Sequence, residues 1–313
     1  MDERVASRTA LVTSLMRARH VRRDPHRILD DSWGDRIVPE SFVQRVHESA
    51  LAERAAGTLV TKASTPQDLA DDLLRANSGY ANVIIRSRFT EDALAEAVAR
   101  GVRQYVQIGS GFDSYCLRHR DSNIDLQVFE VDHPATQSLK IQCIQAACGS
   151  LPKSAHFVAA DLGKEGAFEA LSRTSFNPSE PAFYSWLGVT MYLTREANLL
   201  SLRAIAKSSA PGSELVFTYL DEQIFESAKS DPSGRFAVFL KKVAALGEPF
   251  LSGFDAAKLE ESLAAEGLQL VEDINDVQAS SRYDPNGANG FQGNPLSRIA
   301  RALIAGVNSS PAA

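Results

Sequence analysis

Between Gly101 and Leu220, short apolar segments recur at intervals of about 30 residues, and helical patterns fill the gaps between them. The segments are "QYVQI" (104–108), "DLQVFEVD" (125–132), "SAHFVAADL" (154–162), "PAFYSWLGVT" (181–190) and "GSELVFTYL" (212–220). The helical patterns are "PATQSLKIQCIQAACG", "KEGAFEALSR" and "TREANLLSLRAIAKSSAPG". Strands alternating with helices build βαβ units, and those stack into a parallel sheet covered on both faces. A sixth strand candidate, "LQLVEDI" (268–274), follows the helical "DAAKLEESLAAEG". "DPNGANGFQGNP" (284–295) has the Gly/Asn/Pro content of a loop, and "LSRIARALIAG" (296–306) has helical spacing and is expected to close the chain as a helix.

The first hundred residues lack strand patterns. "RTALVTSLMRARHV" sets Leu11, Leu15 and Ala18 on one helical face, and Pro25 ends the segment. Pro39 opens a second helix that stops at Gly57. Thr65-Pro66 open a third, and Thr90 is expected to cap a fourth that stops at Gly101. The expected division is therefore a helical cap or lid over residues 1–100 and an α/β domain over 101–313. Ligands bind at the carboxyl ends of the strands in open α/β sheets, so the cap is expected to lie there.

Composition excludes several classes. The net charge of −6 and the absence of a long basic run argue against a nucleic-acid partner. No run approaches the ~18 apolar residues of a spanning helix, and "MDERVASRTA" has no apolar signal core. Cys116, Cys143 and Cys148 form no C-x-x-C pair, which argues against a zinc or redox motif and fits a reducing compartment. The chain reads as cytoplasmic, with a small-molecule substrate, no membrane, and no metal-ligand cluster. Its oligomeric state is not readable.

Gly109-Ser110-Gly111 follows the first strand and precedes a helix start, as in a nucleotide-binding turn. The third glycine of the dinucleotide pattern would fall at Ser114. That glycine serves close packing under a pyrophosphate, so a ligand without one relaxes the requirement. About 20 residues on, Glu130 and Asp132 end the second strand, where an acid accepts hydrogen bonds from ribose hydroxyls. Asp161 ends the third strand. Its carboxylate can accept from an adenine amino group or cap the following helix, and Leu162 offers an apolar wall.

The ordered set "RSRF", "IGSGFDS", "FEVDHP", "AADL" and "MYLT", with "ARHVRRDPHRILDD" upstream, resembles the leucine carboxyl methyltransferase family. It is nearest to the bacterial branch of proteins assigned as S-adenosylmethionine-dependent O-methyltransferases. The resemblance implies a class I methyltransferase fold, a Rossmann-like seven-stranded α/β sheet whose last strand is antiparallel, and S-adenosyl-L-methionine as cofactor. Residue by residue, it assigns Arg88 of "RSRF" to the cofactor's carboxylate, with Arg86 as the alternative. It assigns Gly109 and Gly111 to the turn under the cofactor, Asp132 to the ribose, and Asp161 with Leu162 to the adenine side. Arg118 and Tyr192 match family positions of unassigned role, and Arg17 is the nearest counterpart of a cofactor-contacting lysine. Two departures stand out. Leu187 occupies a position where many members carry glutamate, and Tyr115 one where they carry arginine.

Tyr115, Tyr192 and Tyr219 are the candidate substrate-binding residues, since a phenol hydroxyl can orient a substrate oxygen. Trp186 and Met191 read as core. No pair of residues reads as catalytic. Among the six histidines, His20 and His26 are the first candidates for a base, because they lie in the cap. The expected activity is O-methylation of a small-molecule carboxylate or hydroxyl. The alternatives are a degenerate methyltransferase fold that only binds, for which Leu187 is the main support, and an NAD-dependent oxidoreductase, which Ser114 and Asp161-Leu162 oppose.

Overall fold

The computed structural model describes residues 6–304 apart from 123, 163 and 246–248. Residues 305–313, assigned above to the second domain, lie outside the described residues, as does the end of the expected closing helix.

Four helices come first: α1 (Arg8–Arg23), α2 (Glu40–Ala55), α3 (Pro66–Arg75) and α4 (Tyr80–Ala99). The alternating part runs β1 (Gln104–Ile108), α5 (Tyr115–Arg118), β2 (Gln127–Asp132), α6 (Pro134–Cys148), β3 (Ala155–Ala159), α7 (Ala167–Leu171), β4 (Ala182–Trp186), α8 (Arg195–Ser208) and β5 (Glu214–Leu220). It closes with α9 (Gln223–Ser230), α10 (Arg235–Ala245), α11 (Leu259–Ala265), β6 (Leu268–Asn275), α12 (Asp276–Tyr283) and β7 (Ser297–Ile304). The seven strands form one sheet of order β3-β2-β1-β4-β5-β7-β6, with β7 antiparallel to both its neighbours.

Period-two alternation divides each strand between two cores. Tyr105, Val128, Phe183, Val216 and Ile299 enter one cluster, which also holds Leu11 and Leu15 of α1 and Ile84 and Ile85 of α4. Their immediate neighbours Val106, Phe129, Tyr184, Phe217 and Ala300 enter the other, with Leu202 of α8 and Leu263 of α11. The N-terminal helices thus share a core with the sheet. Helix α4 lies against β4, β5 and α12, and so belongs to the layer on the sheet face.

Two expectations are corrected here. "LSRIARALI" is β7. Its Ala, Leu and Arg residues are good helix formers, but the slot between β5 and β6 offers a hydrogen-bonded ladder on each side, and that non-local pairing overrides propensity. Thr90 caps nothing: α4 runs unbroken from Tyr80, and the Thr90 hydroxyl donates back to the Arg86 carbonyl at 2.8 Å. Helices α9, α10 and α12 were not read from the sequence.

Helix α1 lies over the carboxyl ends of β1 and β2. Ser14 Oγ donates to the carbonyls of Gly34 (2.6 Å) and Phe112 (3.2 Å), and the Ser7 amide donates to Thr136 Oγ1 at 3.2 Å. On the same sheet face, the Lys140 ammonium of α6 is paired with the Glu130 carboxylate of β2, both side chains fully buried.

Removing one member of such a pair leaves the other charge uncompensated. Lys140→Ala is expected to lower stability by about 3–5 kcal/mol in chemical denaturation. The Glu130→Ala/Lys140→Ala double variant is expected to lose less than the sum of the two single changes.

Candidate functional site

The strand order reverses at β1, whose neighbours are β2 and β4. Loops leaving the two sides of a reversal diverge and open a crevice there. A cleft of about 680 Å³ occupies this place. The loop after β1 and the ends of β2, β3 and β4 form its floor, and α1, α4 and the Pro249–Leu251 segment form its walls.

The loop is built on close approach. Gly109 has φ +70°, and a Cβ there would sit 2.5 Å from Val189 Cγ2. Gly111 has φ +52°, and a Cβ there would meet Ala10 Cβ of α1 at 2.9 Å. The amides of Gly109 and Ser110 donate to the Val131 carbonyl and tie the loop to β2. Ser110 Oγ and Gln107 Oε1 are buried on the cleft without a hydrogen-bond partner among the described residues. Buried polar atoms left in this way mark places for a ligand atom or water.

Asp132 ends β2 on the cleft. Its carboxylate accepts from the amides of Gly111 and, at 2.6 Å, His133. Burial raises its pKa above the usual carboxylate value, and the two amides act in the opposite sense. Asp161 and Leu162 lie on the cleft beyond the end of β3. The Asp161 carbonyl accepts from the amides of Lys164 and Glu165, and its carboxylate lies 3.2 Å from Lys164 Nζ. Gly166, not Asp161, precedes α7. Asp113, also on the cleft, is held below its usual pKa: burial, the largest single influence, would raise it, but Arg17, Arg118, Lys140 and the Gln107 hydrogen bond together outweigh it.

Arg86, not Arg88, enters the cleft. Residues two apart on a helix point about 200° apart, so only one arginine of "RSRF" can face inward. Arg88 is on the outer side, 2.8 Å from Asp92 and donating to the Ile28 carbonyl. The Arg86 guanidinium fits against Gly188, where a Cβ would lie 2.7 Å from Nη1. Its Nη1 donates to Asn82 Oδ1 at 3.2 Å, and burial lowers its pKa to about 10. Among the described residues, no carboxylate lies within ion-pair distance of it. Arg17 lines the cleft but is committed to Asp31 (2.8 Å) and the Phe112 carbonyl (2.6 Å).

The tyrosines separate. Tyr192 lines the cleft and packs edge-on against Phe250. Tyr115 does not: it opens α5 as a buried side chain, stacked on His119, and borders a different cavity of about 520 Å³. Tyr219 is buried in the core, donating to Asp273 at 2.9 Å. His20 is also structural, bonded to Asp24 and accepting from the Ile28 amide, and His26 meets Asn289. His133 is the histidine on the cleft, and its Nδ1 accepts from the Ala135 amide. Trp186 is core. Arg118 pairs with Glu91 and Ser114. Sequence reading missed Ser110, Gln107, Asp113 and Leu251. The first three carry a signal in the strand–loop segment itself, whereas Leu251 comes from the connection between α10 and α11 and carries none.

The sequence pattern described as leucine carboxyl methyltransferase matches residues 10–206. A protein of Bacillus subtilis (strain 168), provisionally named an S-adenosyl-L-methionine-dependent methyltransferase, is 32% identical over 91% of this chain and 95% of its own. One from Mycolicibacterium smegmatis, named in the same way, is 27% identical over 88% and 92%. Among solved structures, a duf574 family protein of Streptomyces avermitilis superposes with TM-score 0.56, at 15% identity over 95% of this chain and 97% of that one. A protein of Thermobifida fusca provisionally named a methyltransferase gives 0.53, at 18% identity over 84% and 94%. These two structures share the fold.

Two glycine substitutions separate backbone strain from close approach. Gly149→Ala, at φ +77° with nothing within 4 Å, is expected to cost about 1–2 kcal/mol. Gly109→Ala adds the collision with Val189 and is expected to cost measurably more in the same urea titration.

Proposed function

We propose that this chain, which belongs to the leucine carboxyl methyltransferase family, transfers a methyl group from S-adenosyl-L-methionine to an oxygen of a small apolar acceptor. The observation that carries this reading is the order of groups across the strand ends. Arg86 lies against the turn after β4, the glycine loop follows β1, Asp132 ends β2, and Asp161 follows β3. Those four strands are consecutive neighbours. At about 4.8 Å per strand, the groups span roughly 14 Å. An elongated ligand with a carboxylate at one end, a ribose in the middle and an adenine at the other matches that order. The unpartnered Ser110 Oγ and Gln107 Oε1 lie beside its middle.

When bound, S-adenosyl-L-methionine supplies an electrophilic methyl group on a sulfonium. Arg86 binds the carboxylate through donors not used by Asn82. Asp132 accepts from the ribose hydroxyls, and Asp161 with Leu162 receives the adenine edge. Leu187, Val189, Leu193 and Leu251 line the β4 side of the cleft. They exclude water and hold an apolar acceptor in line with the methyl group. Tyr192 supplies a hydroxyl to orient the acceptor oxygen.

A carboxylate acceptor suits these walls best. It is ionised at neutral pH and needs no general base. The histidine on the cleft, His133, is turned to its own helix start. Leu187 offers no proton acceptor where a phenol or alcohol would benefit from one.

Calorimetric titration with S-adenosylmethionine, S-adenosylhomocysteine and NAD tests the reading: the first two are expected to bind, and binding of NAD alone overturns it. Asp132→Ala is expected to weaken cofactor affinity at least about tenfold, since lost charged hydrogen bonds cost ~1.5–3 kcal/mol, whereas Arg88→Ala leaves it unchanged. Because burial raises the Asp132 pKa, affinity is expected to fall on acidification from a higher pH than an ordinary aspartate would give, and Asp132→Asn removes that component. In a panel of aryl and alkyl acids and phenols, methyl esters are the expected products. Tight S-adenosylhomocysteine binding without turnover of any acceptor would favour a binding protein.

A further inference from the structure

Arg86 is half-buried on the cleft, and among the described residues no carboxylate pairs with it directly. Its fixed contact is Asn82, one helical turn earlier on α4, whose Oδ1 accepts from Arg86 Nη1 at 3.2 Å. The other end of the same amide donates, through Nδ2, to Asp276 Oδ1 at 2.7 Å. Asp276 opens α12, some 190 residues later in the chain, and is almost wholly buried. A Cβ on Gly293 would fall 2.4 Å from the Asp276 carbonyl carbon, so the loop before β7 is pressed onto the start of α12. The Asn294 backbone and Ser297 side chain complete the groups facing the carboxyl, with Asn82 and Arg86 on the α4 side.

We infer that Asp276 and Asn82 form a relay that positions Arg86 for the carboxylate of the cofactor, an inference that rests on the reading of the cleft given above. A direct Asp–Arg pair would hold the guanidinium more strongly, but it would occupy the forked donors that a ligand carboxylate needs. Placing a neutral amide between them keeps one Arg86 nitrogen fixed and leaves the others for the ligand. The amide has only one orientation that serves both neighbours, oxygen toward the guanidinium and nitrogen toward the carboxylate. It therefore transmits the Asp276 charge as a fixed dipole while keeping that charge out of the cleft. Asp276 itself does not line the cleft. It is a positioning residue, supplied by the segment between β6 and β7. Burial lifts its pKa to about 7, opposed by the Asn82 hydrogen bond and Arg86, so the relay loses its charge under mildly acidic conditions.

The test compares S-adenosylhomocysteine with its decarboxylated analogue, which keeps the adenosine, the thioether and the amine. Affinities are measured calorimetrically for wild type, Asn82→Ala, Asp276→Asn and Arg86→Met, with thermal melts of each. Asn82→Ala and Asp276→Asn are each expected to weaken S-adenosylhomocysteine five- to tenfold and to leave the analogue within twofold. Arg86→Met is expected to show the same selectivity with a larger loss. The wild-type preference for S-adenosylhomocysteine over the analogue is expected to narrow from pH 8 to pH 5.5, and to stay constant in Asp276→Asn. Equal weakening of both ligands would make the two residues merely structural and overturn the relay, as would no change in either variant. If Arg86→Met discriminates the ligands while Asn82→Ala and Asp276→Asn do not, the relay alone falls. If wild type binds neither ligand, or Arg86→Met does not discriminate them, the reading of the cleft falls with it. Asn82→Ala keeps a strong helix former in α4, so the test survives if Asp276→Asn does not fold.

Discussion

The docking of α1 onto the loop after β1 is the contact on which the site depends. A reversal in strand order creates only an open crevice. Here Ala10 rests on Gly111, and the Phe112 carbonyl accepts from both Ser14 and Arg17. Those contacts put a helix across the open side and convert the crevice into a walled cleft. The requirement runs back into the sequence as a set of small residues: Gly111 on the loop, Ala10 and Ser14 on the helix, and Gly34, where a Cβ would collide with the Ser14 carbonyl at 2.4 Å. Larger residues at any of these would push α1 away and change the depth of the cleft.

Beneath that contact lies a buried group of charges. Arg17 pairs with Asp31, Arg118 pairs with Glu91 and approaches the same Asp31 at 4.0 Å, and both arginines pull the Asp113 pKa down against the effect of burial. The group joins α1, α4, α5, the turn after α1 and the loop after β1. Buried pairs are weak sources of stability but are costly to break singly. Their effect here is therefore better described as fixing geometry: each charge has its partner only when the segment carrying that partner is in place.

Much of this was legible in the sequence. The spacing of five apolar segments fixes the parallel part of the sheet, and Gly109, Gly111, Asp132, Asp161 and Leu162 all come together on one cleft because each sits at or just past the carboxyl end of a strand. What was not legible has three physical causes. The strand β7 has helical composition and owes its conformation to partners more than 20 and 70 residues away, at β6 and β5. Arg86 and Arg88 cannot be distinguished by a short motif, because the choice depends on which face α4 turns to the sheet. Tyr219 lies on β5 but faces the core, since a side chain's face is fixed by a one-residue register, and Tyr115 opens α5 facing a different cavity.

The same face argument explains why α4 matters beyond packing. One side of it, through Ile84 and Ile85, is core, while Asn82 and Arg86, one turn apart, present polar atoms to α12 and the cleft. A helix that served only as part of a detachable lid could not hold Arg86 against Gly188 of the β4 turn while also bonding α12 through Asn82. The guanidinium is therefore held by contacts to both the β4 turn and, through Asn82, α12, and a further wall of the cleft is carried by Pro249 and Leu251. There, the segment ending at Leu251 is tied to the cleft by the Leu251 amide donating to the Met191 carbonyl at 2.7 Å. The two walls of the cleft are thus joined to different parts of the fold. One is held between the β4 turn and α12, and the other reaches the cleft through the Leu251 contact with Met191.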